Sequence, residues 1–216
     1  MKKIEVLIVE DNLKYSSSLM KALALSPDIL VAGLFHSAEE LLGSSSIKSA
    51  DVALLDIGLP GMDGIELIGI LLSQGSAPEI LMLTAFEDEE RLFRALQAGA
   101  SGYLAKSTPP LKIAEAIRDV NSGGTAISPA LARRFLNHFT SMGCAAAVKD
   151  RRGLEADEVD LLTFVAKGLT NAEAGTVMGV GRRTVRTSLD RIYRKLGTRS
   201  RVEAVSIAVR AGLVKL

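Results

Sequence analysis

The sequence holds one cysteine, Cys144, so neither an internal disulfide framework nor a cysteine zinc site can be built from it. No apolar run approaches the roughly 18 residues that cross a bilayer. The first apolar stretch, residues 4–9, is broken by Glu5 and stops at Glu10-Asp11, which is not the pattern of a secretory signal. Net charge is also scarce, at +1 over 216 residues, while 48% of the residues are apolar. That pairing excludes disorder by composition. A soluble, cytoplasmic chain of one large domain or two ordinary ones is expected.

The small net charge hides an asymmetry. Residues 1–148 carry 12 Lys/Arg against 17 Asp/Glu, a balance of −5, and residues 149–216 carry 14 against 8, a balance of +6. An acidic half joined to a basic half implies two tasks, with the basic half suited to a polyanion. Short apolar runs at 4–9, 30–34, 52–55, 80–84 and 102–105 predict five strands. Helical patterns at 13–25, 38–42, 65–72, 89–98 and 111–120 follow them in turn. Such alternation predicts an α/β doubly wound fold, a five-stranded parallel sheet with helices on both faces. Asn-Ser-Gly-Gly after Val120 is a breaker. Residues 129–139 read as one more helix, and 140–153 as a hinge. Beyond residue 154 the strand pattern ends, and helices are expected at 157–167, 171–178, 182–196 and 202–211. Gly168, Gly179 and Gly197 stand at their stops.

In a parallel sheet, reactive groups collect at the carboxyl ends of the strands. Glu10 and Asp11 follow the first predicted strand, Asp56 the third and Lys106 the fifth, while Thr84 ends the fourth. Each alone has a plain structural reading, since an acidic residue after a strand is often a helix cap. Together, at four strand ends, they fit the chemistry of a phosphoryl acceptor. Crowded carboxylates attract a hard cation such as Mg²⁺, which also bridges phosphate oxygens. Lys106 would pair with the phosphate as a mobile point charge, and Thr84 would offer a hydroxyl.

The first 120 or so residues resemble a response-regulator receiver domain of the CheY-like fold. The resemblance is carried by V-E-D-N (9–12), L-L-D-I-G-L-P-G-M-D-G (54–64), L-T-A (83–85) and G-A-S-G-Y-L-A-K (99–106). It implies that Asp56 is the phosphorylated residue, and that Glu10, Asp11, Asp56 and the Gly58 carbonyl hold Mg²⁺. It also implies that Thr84 and Tyr103 form a switch pair, and that small Ala85 leaves room for the phosphodonor. Many receivers place proline after the lysine; here Ser107 stands there, with Pro109-Pro110 later. Tyr103 also reads as a half-buried edge aromatic, and Asp63 as a turn residue. A phosphatase using an aspartate nucleophile needs a second acid two residues on, where this chain has Gly58. A dinucleotide enzyme needs a glycine fingerprint that does not follow the first strand.

In the basic half, Val185, Leu189, Ile192 and Leu196 make one apolar stripe at helical spacing. Arg182, Arg183, Thr184, Arg186, Thr187, Ser188, Arg191, Arg194 and Lys195 occupy the rest of that helix. One buried seam under a basic, hydroxyl-bearing face suits the major groove of DNA, although a solvated basic face reads the same way in isolation. Residues 154 to about 213 resemble the LuxR-type helix-turn-helix of NarL/FixJ regulators. The matching residues are G-L-T-N-A-E (168–173), T-V-R-T (184–187) and I-Y-R-K-L-G-T-R-S-R-V-E-A-V (192–205). By that resemblance residues 171–178 and 182–196 are the two helices of the motif, the second reading DNA, and Glu173 caps or braces it. Several positions depart from the family: Glu155, Ala156 and Asp157 in the opening, Ala174-Gly175 for a bulkier pair, Gly181 for a serine cap, and Ser188 for histidine. Acidic Asp157, Glu158 and Asp160 would repel phosphates if they faced the duplex.

The combined expectation is a two-component response regulator and not a turnover enzyme. A receiver occupies residues 1–122, a linker 123–153, and a DNA-binding domain 154–216. A sensor histidine kinase or small phosphodonor would load Asp56, and the active form would be a homodimer on two half-sites, with no membrane partner. The competing expectation is a receiver whose output contacts DNA or a protein regardless of phosphorylation.

Overall fold

The computed structural model describes residues 3–74, 77–85, 89–127 and 153–214. The chain divides into two compact units, Met1–Asn121 and Ser122–Leu216. In the first, strands β1 (Ile4–Val9), β2 (Ile29–Phe35), β3 (Val52–Leu55), β4 (Glu79–Thr84) and β5 (Gly102–Ala105) form one all-parallel sheet in the order β2-β1-β3-β4-β5. β3 is buried along its whole length, as an inner strand covered on both faces requires. Helices α1 (Leu13–Leu23), α2 (Ala38–Leu42), α3 (Gly64–Ser73), α4 (Glu89–Ala98) and α5 (Pro110–Asn121) flank the sheet, with α1 against α5 and α3 against α4.

The strand register explains the convergence of the polar residues. Val9 pairs with Leu55, so Glu10 and Asp56 leave the sheet side by side. Thr84 pairs with Ala105, so Lys106 emerges one residue beyond Thr84. The Asp56 amide donates to the Val9 carbonyl at 3.0 Å, and the Lys106 amide to the Thr84 carbonyl at 2.7 Å. The order of strands reverses between β1 and β3, which opens a crevice at their carboxyl ends.

The predicted elements match within a residue or two at their ends. α1 stops at Leu23 instead of running to residue 25, because Ser26 precedes Pro27 and is driven out of the helical region. Its amide turns back to the Leu23 carbonyl at 2.9 Å. Asp63, expected as a turn residue, is the N-cap of α3 and accepts the Glu66 amide at 2.8 Å.

In the second unit α6 (Ala156–Ala166), α7 (Asn171–Met178), α8 (Arg182–Leu196) and α9 (Arg201–Arg210) enclose a core that includes Leu161, Leu162, Val185, Leu189, Ile192 and Ala204. Leu196, the last member of the expected stripe, is partly buried against that core. Gly179 and Gly197 end α7 and α8 with φ of 68° and 70°, a left-handed cap that glycine adopts without strain. The helix expected at 129–139 and the hinge up to residue 152 lie outside the described residues. No helix among the described residues is long and apolar enough to cross a membrane.

Candidate functional site

Lys106 stands at the centre of the acidic crevice. Its ammonium lies 2.6 Å from Glu10 Oε2 and 2.9 Å from Asp56 Oδ2. Glu10 and Asp56 are buried at 2% and 6% exposure, whereas Asp11 is exposed. One carboxylate oxygen from each of Glu10, Asp11 and Asp56 falls within 4.8 Å of the others. The donors are all hard oxygens, and three carboxylates against one ammonium leave two negative charges uncompensated. Mg²⁺ fits such a set in both ligand type and charge. Gly58 lies in the exposed loop after Asp56.

Burial pushes the Glu10 carboxyl above its ordinary range. Hydrogen bonds from Lys106 and from the Asn12 amide pull it down, the Asp56 charge pushes it up again, and the net direction is upward. Burial disfavours the Lys106 ammonium, but its bonds to Glu10 and Asp56 outweigh this and hold it more basic than a free lysine. Burial, aided by the charges of Glu10 and Asp56, pushes the nearby Tyr15 phenol up to about 12.

Thr84 is fully buried at the end of β4, and Tyr103 on β5 is 4% exposed, so its ring is inside rather than at a half-buried edge. Met82 pairs with Tyr103 across the two strands. The structure therefore gathers Glu10, Asp11, Asp56 and Lys106 directly, with Thr84 bonded to Lys106 through the backbone. Two further residues of this site were not singled out in the sequence. Tyr15 lies over Lys106, its ring centroid 5.1 Å from the ammonium. Gly64 lies so near Asp56 that an added Cβ would fall 2.0 Å from the Asp56 carbonyl oxygen. Gly64 sat inside the quoted 54–64 motif; Tyr15 gave no signal beyond following the acidic pair on a helix.

On α8, Arg182, Arg183, Thr184, Thr187, Arg191, Arg194 and Lys195 are exposed, and Arg186 and Ser188 are partly so. Gly181 caps this helix without a side-chain hydrogen bond, and no acidic residue lies in its first turn. Its N-terminal end, with Arg182 and Arg183, is therefore strongly positive. The basic residues are not equivalent. Arg191 and Lys195 reach Glu158 of α6 at 2.8 and 2.7 Å. Glu158 is 1% exposed, which corrects the concern that it would repel phosphates: its carboxylate points inward, and only Asp157 and Asp160 are on the surface.

Two of the departures also have a structural account. The Glu155 amide donates to Glu158 Oε2 at 2.8 Å, so α6 retains a bond that closes its first turn without a hydroxyl cap. At Gly175 an added Cβ would lie 2.7 Å from the Val180 carbonyl oxygen. The turn between α7 and α8 thus packs where a larger residue would stand, so Gly175 is matched to this turn as well as being a weak helix former. Glu173 closes a capping box, bonding the Thr170 amide and hydroxyl at 2.8 Å each.

Residues 6–118 match the response regulator receiver domain, and residues 154–208 match the family described as bacterial regulatory proteins, luxR family. The chain is 32% identical over 211 residues to the transcriptional regulatory protein LiaR of Bacillus subtilis, covering 98% of this chain and 99% of that one. It is 31% identical over 205 residues to the DNA-binding transcriptional activator DevR/DosR of Mycobacterium tuberculosis, covering 95% and 94%. Among solved structures it is similar to the response regulator ChrA of a heme-sensing two-component system. The TM-score there is 0.54 at 29% identity, over 99% of this chain and 100% of that one.

Proposed function

The chain belongs to the response-regulator family, as a two-component transcription regulator with a receiver and a LuxR-type DNA-binding domain, and on that premise we propose that Asp56 is its phosphoacceptor. Control by phosphorylation is the mechanism of that family. The observation that carries the assignment is the Lys106 ammonium bonded at once to Glu10 and Asp56, with Asp11 open beside them.

An Asp56 carboxylate oxygen attacks the phosphorus of a phosphohistidine on a sensor kinase, or of a small acyl phosphate. The oxygen–phosphorus bond forms as the bond to the donor breaks, and the imidazole or carboxylate leaves with the electron pair. Glu10, Asp11, Asp56 and the Gly58 carbonyl would hold Mg²⁺, which when bound neutralises charge on the phosphoryl oxygens. Lys106 turns from the carboxylates to a phosphoryl oxygen, and the Thr84 hydroxyl donates to another. Tyr103, already inside, stabilises the state in which Thr84 has moved. The phosphoryl group is later lost to water, and no outside substrate is turned over.

The change is passed to a domain spanning 154–216, through a linker spanning 123–153, from a receiver spanning 1–122. There Arg182, Arg183, Thr184, Arg186, Thr187, Ser188 and Arg194 face DNA, with Arg191 and Lys195 shared with Glu158. Two copies read two half-sites in the cytoplasm.

The test is DNA binding across a salt series by the wild-type chain and Asp56→Ala, with and without Mg²⁺ and a beryllofluoride phosphate mimic. Tighter wild-type binding with the mimic, absent in Asp56→Ala, supports the assignment. Binding indifferent to the mimic in both refutes it and leaves a DNA-binding protein whose receiver is not its switch.

A further inference from the structure

Tyr15 comes from the third position of α1, ninety-one residues from Lys106, yet it meets Lys106 at two points. Its ring centroid lies 5.1 Å from the Lys106 ammonium, within the reach of a cation–π contact. Its hydroxyl donates to the Lys106 carbonyl oxygen at 3.3 Å. The placement is fixed from the sequence side by Asn12, the N-cap of α1, whose side chain accepts the Lys14 and Tyr15 amides at 3.1 Å each. The Lys106 amide is held from the other side by the Thr84 carbonyl at 2.7 Å.

We propose that Tyr15 is a positioning residue for phosphoryl transfer, its ring forming the wall that keeps the Lys106 ammonium between Glu10 and the reacting oxygen of Asp56. The inference rests on Asp56 being the phosphoacceptor. A lysine head on a four-carbon stem has many rotamers, and two carboxylates in different directions do not select one. The negative face of a half-buried ring restricts that freedom. The ammonium can then swing from Glu10 toward an arriving phosphoryl oxygen without swinging out to water. Its side chain is only 16% exposed, which leaves little other shielding to supply. The phenol stays protonated across the physiological range, so ring and hydroxyl act as neutral groups.

The experiment measures initial phosphoryl uptake by the full chain from radiolabelled acetyl phosphate with Mg²⁺, at donor concentrations below saturation. The acyl phosphate P–O bond breaks, the Asp56 oxygen–phosphorus bond forms, and acetate leaves. Tyr15→Phe keeps the ring and should retain nearly the wild-type rate. Tyr15→Leu keeps apolar bulk without the π face and should slow uptake about fivefold, the scale of one partly buried cation–π contact. In a Lys106→Met background, Tyr15→Leu should cost nothing further, a coupling that simple loss of packing would not produce. Should Tyr15→Leu unfold, Tyr15→Met makes the same comparison. Uptake by Tyr15→Leu at the wild-type rate, an equal loss in Tyr15→Phe, or an undiminished loss in the Lys106→Met background would each overturn the role of Tyr15 alone. Failure of the wild-type chain to be labelled would overturn the phosphoacceptor assignment and this inference with it.

Discussion

Replacing Glu158 by glutamine isolates the contribution of one buried charge to the DNA-binding unit. The carboxylate is 1% exposed, lies 2.8 Å from Arg191 as an ion pair, and accepts hydrogen bonds from Lys195 at 2.7 Å and the Glu155 amide at 2.8 Å. Glutamine keeps the shape and one acceptor for the Glu155 amide, but ends both ionic attractions. The two cations are 46% and 30% exposed, so water recovers part of what they lose. Bonds to a charged group contribute about 1.5–3 kcal/mol each when well shielded and less when one end is wet, so the variant loses about 2 kcal/mol. That raises the opened population of α6 and α8 about 30-fold, because 1.36 kcal/mol is a factor of ten. Hydrogen exchange of α6 and α8 amides, resolved by mass spectrometry, reads this without requiring the whole chain to unfold in one step. The difference also depends on pH. Burial alone would raise the Glu158 carboxyl, but Lys195, the Glu155 amide and Arg191 together hold it below the ordinary carboxylate range. Its stabilisation is complete above that range and is lost as pH falls through the lowered value, so wild type and variant converge in acid. Amide protection in Glu158→Gln within twofold of wild type at neutral pH refutes the reasoning.

Gly64→Ala sets a methyl 2.0 Å from the Asp56 carbonyl oxygen, and both atoms belong to backbone-fixed segments. The receiver should lose about 1–3 kcal/mol in urea unfolding, and phosphoryl uptake should slow as Asp56 shifts; unchanged uptake removes Gly64 from the site. Arg183→Ala removes an exposed cation from the positive end of α8. DNA affinity should fall, and the slope of log affinity against log salt should flatten by about 0.9, the value of one phosphate contact. A lower affinity at unchanged slope would instead make Arg183 a base reader.

The receiver was legible because its chemistry is tied to strand ends. Apolar runs located the strands, and the first residues past them were Glu10, Asp56 and Lys106. The parallel register then brings these together with no further information from the side chains. What the sequence did not disclose is direction. Tyr15 is an aromatic residue on a helix, and nothing local says whether its ring turns to solvent or across to β5. Glu158 stands with Asp157 and Asp160 as one of three acids within four residues, and the sequence alone does not say which of them turns inward. Gly175 shows in the sequence only as a smaller residue than the family's, because the approach of the Val180 carbonyl is not local. The α6 opening shows the same gap, since the Glu155–Glu158 bond that closes its first turn is not evident from the departures at Glu155, Ala156 and Asp157.

Both units contain a buried glutamate bonded to a lysine from a distant element, and their titration separates the two roles. Glu10 shares Lys106 with Asp56, and burial, aided by the Asp56 charge, keeps its carboxyl above the ordinary range in spite of the lysine. The Lys106 ammonium is thus divided between two carboxylates, at 2.6 Å from Glu10 and 2.9 Å from Asp56. Glu158 faces two cations, and with the Glu155 amide they outweigh burial and hold its carboxyl low. In the receiver one lysine is shared by two carboxylates, and in the second unit one carboxylate ties two cations of α8 to α6. Burial pushes both carboxyls up; at Glu158 two cations and an amide from separate elements outweigh it, whereas at Glu10 one lysine shared with Asp56 and one amide do not.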